Sequence, residues 1–133
     1  MTLRKSVTLK THGDIAYARQ VAGELMVEIE ASAIKRTKFV TAVSEIARNA
    51  INYGQGGVIT FHLAEASGRK RALAVCTDRG PGIEDVDAAL RDGFSTGKSL
   101  GLGLGGAKRL VDQFEIVSTP GSGTRVSLEC GPR

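Results

Sequence analysis

At Gly54-Gln55-Gly56-Gly57 a pair of helical segments gives way to a pair of strands, and that change limits the folds open to the chain. Over Ile15–Tyr53 the apolar side chains recur at threes and fours, the helical period, and over Val58–Ala64 at twos, the strand period. Ile15, Ala18, Ala22, Leu25 and Ile29 predict a helix over Ile15–Ala31 with Asp14 as its N-cap. A second helix is expected over Ile34–Tyr53, where Phe39, Val40, Val43, Ile46, Ala47, Ala50 and Ile51 share one arc at about 100° per residue. Thr41, Glu45, Arg48, Asn49 and Asn52 fall opposite, so one face packs and the other is polar. After the glycines, Val58–Ala64 alternates, with Ile59, Phe61 and Leu63 against Val58, Thr60 and His62. Ser67-Gly68-Arg69-Lys70 reads as a turn and Arg71–Thr77 as the returning strand, its apolar run Ala72–Cys76 suggesting burial on both faces.

The remaining segments extend the same scheme. Leu3, Val7 and Leu9 mark a half-buried strand before the helices. Beyond Asp78-Arg79-Gly80-Pro81-Gly82 come a short helix around Glu84–Arg91, a Gly/Ser-rich stretch over Asp92–Leu104, and a helix over Leu104–Gln113 with Ala107, Leu110 and Val111 on one side. Phe114–Ser118 and Thr124–Glu129 are strands about a turn at Pro120-Gly121-Ser122-Gly123, with Val126 and Leu128 inward. The order is β α α β β α (loop) α β β. Helices grouped between hairpins predict an α+β two-layer sandwich: a mixed, mostly antiparallel sheet with helices on one face. At 133 residues, one domain over 1–133 is expected.

Composition removes several function classes. Hydrophobic residues at 41% against 24% charged are enough for a core. The net charge of +4 is spread along the chain, aromatics are 5% and Trp is absent, which argues against a stacking, basic nucleic-acid surface. Cys76 and Cys130 are too few and too far apart for a zinc site or a redox pair. No stretch suits a signal peptide or a membrane span. A cytoplasmic chain with no nucleic-acid or membrane partner is the expectation.

Three features carry chemistry, and each alone has a plain structural explanation. Glu45, Asn49 and Asn52 at i, i+4 and i+7 place a carboxylate and two amides on one helical face, either a solvated surface or oxygen ligands for a hard cation. Asp78-Arg79-Gly80-Pro81-Gly82 follows a strand, either a capped turn or an acceptor beside a flat ligand that glycines let close. Gly97-Lys98-Ser99-Leu100-Gly101-Leu102-Gly103-Leu104-Gly105-Gly106 runs into a helix and offers backbone N–H groups and a mobile cation to a polyphosphate. That loop fits neither a dinucleotide fingerprint, since no strand leads into it, nor a Walker loop, since Gly97-Lys98-Ser99 is followed by more glycines and not by helix.

Taken together and in this order, the three resemble the N, G1 and G2 boxes of the GHKL ATP-binding superfamily. Ala42–Asn49 with Asn52-Tyr53, Asp78–Ile83, Gly93–Gly97, Gly101–Leu110 and Gly121–Thr124 look like the RsbT-type serine/threonine switch kinases of stressosome and anti-sigma pathways. The resemblance implies a Bergerat-type fold and a site for ATP and Mg²⁺. It gives Glu45 the part of general base or water-orienting carboxylate, and Asn49 that of the Mg²⁺ ligand. Asp78 takes the adenine amino group, with Gly82 beside the ring and the Thr124 hydroxyl supporting the Asp. Gly101, Gly103 and the amides around Leu104 line the phosphates, and Phe94–Leu100 forms a lid. Asn52, Gly80, Ile83, Thr96, Gly97, Lys98, Leu102 and Gly105 complete the implied nucleotide site.

Length is expected to separate this chain from superfamily members that need a transducer or a histidine-bearing dimerisation module. What remains is an ATP-dependent kinase that phosphorylates STAS-domain regulators and, on release, activates a PP2C-type phosphatase. The alternative is a nucleotide-gated module that sequesters a sigma factor or other regulator with little catalysis.

Overall fold

The computed structural model of the protein describes residues 1–83, 85–90 and 103–133. Its sheet grows outward from one hairpin. Strands β2 (Gly57–Ala66) and β3 (Arg69–Asp78) are joined by Ser67 and Gly68 alone, both at positive φ, 54° and 74°, as a two-residue hairpin turn with right-handed strand twist requires. The turn is shorter than the expected Ser67–Lys70 segment, and the ladder reaches Ala66 opposite Arg69. β1 (Thr2–Leu9) lies outside β2, while β4 (Gln113–Thr119) and β5 (Gly123–Cys130) complete the order β1-β2-β3-β5-β4. All four pairings are antiparallel, so the mixed sheet expected from sequence has no parallel pair among the described strands.

One alternating set of side chains turns inward across the whole register. Val7 lies opposite Ile59, Ile59 opposite Cys76 and Cys76 opposite Val126; Phe61, Ala74 and Leu128 form the next row, and Leu63, Ala72 and Cys130 the third. All are buried. Leu73 and Val75, in the other phase, are only half-buried. The apolar run of β3 is therefore covered on one face, because the helical layer packs on one side of the sheet. The Cys76 thiol meets the Ile46 carbonyl, and burial pushes its pKa up to about 12.

Helices α1 (His12–Glu28) and α2 (Ala33–Asn52) form that layer, with α3 (Val86–Ala89) and α4 (Gly103–Leu110) beyond the hairpin. The N-cap of α1 is Thr11 and not Asp14. Asp14 sits three positions inside, where its carboxylate accepts the N–H groups of Lys10 and Thr11 at 2.8 and 2.9 Å. The helix stops at Glu28, short of Ala31, as Glu30 takes positive φ. Ser32 caps α2 by accepting from the Lys35 amide at 3.2 Å. Along α2, every residue from Ala42 to Ala47 is buried, Glu45 included, because α4 packs on the side that periodicity reads as solvent-facing. α4 ends at Leu110 and not Gln113, since Asp112 already bonds Glu129 O and Gln113 already pairs in β4.

Asp112 ties three parts of the chain together. Its carboxylate accepts the Gly131 amide at 2.8 Å and Arg71 Nη2 at 3.4 Å, and pairs with Lys35 at the start of α2. The Ser32 amide reaches Pro132 O at 3.0 Å beside it, so the end of β5 is fastened to α2. Burial alone raises the Asp112 pKa, but the Gly131 amide, Lys35 and Arg71 outweigh it and hold the carboxyl below its ordinary value. A depressed carboxyl stabilises the fold above the unfolded pKa, and that stability goes as pH falls through the folded one. Asp112→Asn should therefore lower unfolding free energy at pH 7 by about 1 kcal/mol, allowing for solvent screening. Urea titrations of wild type and variant should converge below about pH 3.

Candidate functional site

β3 ends at Asp78, whose register partner Gly57 begins β2. The Gly80 amide donates to Asp78 Oδ1 at 2.9 Å. Burial raises the Asp78 pKa, and the backbone amides of Gly80 and Thr124 pull it partly back. A raised carboxyl favours the folded state when protonated, so ionising it costs the fold stability as pH rises.

The expectation for Thr124 needs a correction. It supports Asp78 through its backbone N–H, while its hydroxyl lies 2.8 Å from Ser118 Oγ. Ser118 Oγ in turn accepts the Ile83 amide at 2.7 Å. Gly82, at φ 79°, packs so that a Cβ there would lie 2.4 Å from Thr119 O. The ends of β4 and β5 therefore fix the Gly82-Ile83 backbone. Ser118 escaped the sequence reading, yet it was findable: it continues the inward phase of Phe114 and Ile116 as a polar residue.

The Asp78 turn meets the end of α2 backbone to backbone. A Cβ on Gly80 would fall 2.5 Å from Gly54 Cα, and one on Gly54 would fall 2.4 Å from Asp78 Cγ. Gly54 N is itself bonded to Asn49 O at 3.2 Å and Ala50 O at 3.0 Å. Two glycines thus bring the amide-bearing face of α2 up to the carboxylate of β3. Asn49 is half-buried and Asn52 exposed, and among the described residues neither side chain has a hydrogen-bond partner.

Glu45 lies one turn before Asn49, 8% exposed. Its Oε1 accepts Arg48 Nη1 at 2.9 Å and its Oε2 accepts the Gly103 amide, the first of α4, at 3.3 Å. A buried carboxylate at a helix N-terminus is electrostatically favourable and couples α2 to α4. Leu104 and Gly105 are buried on α4, so whatever they offer a ligand comes from the backbone. Thr96, Gly97, Lys98, Gly101, Leu102 and the expected lid over Phe94–Leu100 lie outside the described residues.

Among the described residues no three His, Cys, Asp or Glu gather as a metal cage. A cation at the Asn49 amide would need phosphate and water oxygens for its remaining positions, a donor set that suits Mg²⁺ and not Zn²⁺. Asp78, the free Asn49 amide and the α4 N-terminus supply, along one path, an acceptor for an amino group, an oxygen for a hard cation and donors for an anion.

The protein-family model described as histidine kinase-like ATPase domain matches residues 9–130. The chain is 36% identical over 126 residues to the serine/threonine-protein kinase RsbT of Bacillus subtilis, covering 95% of each. It is 33% identical to the anti-sigma F factor of Thermoanaerobacter sp., covering 85% of this chain and 82% of that one. Among solved structures, the RsbU and RsbW domains of a Mycobacterium tuberculosis protein superpose with a TM-score of 0.63 at 26% identity, covering 95% of this chain and 31% of that longer one. The mycobacterial sensor histidine kinase MprB, at 19% identity and a TM-score of 0.58 over 97% of each chain, shares the fold.

The glycine contact yields a test. Gly54→Ala drives a methyl into Asp78 and should cost about 1–3 kcal/mol of stability, the range for overpacking. Chemical denaturation should show that loss, whereas Gly68→Ala, where a Cβ meets nothing within 4 Å, should lose only what the positive φ imposes, about 1 kcal/mol.

Proposed function

Because the chain belongs to the histidine kinase-like ATPase family, in its RsbT-type branch, we propose that it transfers the terminal phosphoryl of Mg-ATP to a serine or threonine of a STAS-domain regulator. Residues 1–133 act as one ATPase unit in this reading, in the cytoplasm where ATP is supplied. The observation that carries it is Glu45: a buried carboxylate on the first amide of α4, one helical turn before a half-buried amide with no partner among the described residues.

Each residue then has a task. Asp78 accepts from the adenine amino group, its ionisation penalty offset by that donor, and the Gly80–Ile83 backbone lies along the ring. Asn49 holds Mg²⁺, which neutralises phosphate charge when bound; Asn52 lies on the same face. Amides of Gly103, Leu104 and Gly105 face the phosphates, joined by Thr96, Gly97, Lys98, Gly101 and Leu102. Glu45 takes the proton of the attacking hydroxyl, or orients it, as the bond to phosphorus forms and ADP leaves. Released from its substrate, the kinase activates a PP2C-type phosphatase. The anti-sigma F relatives support a second reading, in which the nucleotide-bound chain sequesters a sigma factor with little transfer.

Two substitutions test the assignment. Asp78→Asn should weaken ATP binding by about tenfold to a hundredfold in calorimetric titration. An affinity within twofold of wild type would return Asp78 to the capping role. Glu45→Ala should reduce transfer of radiolabelled γ-phosphate to a STAS-domain protein by about 10²–10⁴ and alter ATP affinity little. Undiminished transfer removes Glu45 from the chemistry, and no transfer by the wild type favours the sequestering module.

A further inference from the structure

Arg48 directs its charge inward, onto Glu45. Its guanidinium approaches Glu45 Oε1 at 2.9 Å, from a side chain one-third exposed to a carboxylate almost wholly covered. Among the described residues, the other oxygen of that carboxylate has a long contact, 3.3 Å, to the Gly103 amide. A second, shorter contact is what holds such a carboxylate in one rotamer. The spacing is i, i+3 on a helix whose backbone is fixed by the core, so the pair forms without moving either element.

We propose that Arg48 is a positioning residue for Glu45. By holding Oε1, it aims Oε2 along α4's N-terminus, toward the place where the attacking hydroxyl and the terminal phosphate meet. The inference rests on the kinase reading above, with Glu45 as the group that meets the hydroxyl. Arg48 touches neither substrate in this arrangement and acts through Glu45 alone. Its planar fork can grip one oxygen and leave the other free for chemistry, which a pendant ammonium does less directionally.

Such a role makes a non-additive prediction. With Mg-ATP and water as the acceptor, single-turnover hydrolysis should fall about tenfold in Arg48→Ala, while ATP affinity by calorimetry stays within threefold. Arg48→Lys, which keeps a cation at the site without the planar fork, should recover part of that loss. The double variant Glu45→Gln/Arg48→Ala should be no slower than Glu45→Gln alone, because nothing remains for Arg48 to position. Losses that multiply in the double variant would overturn the proposal and give Arg48 an independent role. Full activity in Arg48→Ala would overturn it as well, as would a fall in melting temperature with unchanged turnover, which marks a structural ion pair. A wild type that neither binds nor hydrolyses ATP is a different result, since it overturns the kinase reading on which this inference stands.

Discussion

Helix α2 has almost no solvent around its middle: from Ala42 to Ala47 every residue is buried. The sheet and α1 take one side and α4 the other, so this helix is the common wall of the hydrophobic core and the site. Its apolar arc fixes its height and rotation over the sheet through Phe39, Val43, Ile46 and Ala50, all with at most 2% exposure. Once that rotation is set, the directions of Glu45 and Asn49 are set too. The core thereby positions these two polar side chains.

The same economy appears at the Asp78 turn. Its carboxylate is located by backbone groups, the amides of Gly80 and Thr124, and its distance to α2 is set by Gly54 against Gly80. Backbone contacts of this kind leave no side chain to relax. They place the site's fixed points on rigid elements at the ends of β3, β5 and α2.

Periodicity carries information about one element at a time, and that is where the sequence was legible. The order of elements, the inward set Ile59, Phe61 and Leu63, and the α2 apolar arc all follow from local spacing. Glu45 shows the limit. On a helical wheel it lies opposite the core, yet α4, about sixty residues later, covers it, and no local pattern encodes that packing. Leu73 and Val75 err the other way: an unbroken apolar run looks doubly covered, but a single helical layer leaves one phase open. The Thr124 hydroxyl is taken by Ser118, six residues away across a turn, a pairing that the motif alone does not encode. The Asp78–Gly82 turn was readable because glycine spacing reflects backbone constraint directly. Distances between motifs were not.

Cys76 gives the fold an internal clock. Its thiol faces the Ile46 carbonyl on the core side of β3, and with burial pushing its pKa up to about 12 the thiolate is scarce at neutral pH. Alkylating reagents act on the thiolate and need access, so the closed protein is nearly inert toward them. Reaction must wait for α2 to lift from the sheet. The rate of labelling therefore counts those openings, and since α2 also carries Glu45 and Asn49, it reports how often the native chain is briefly without its site.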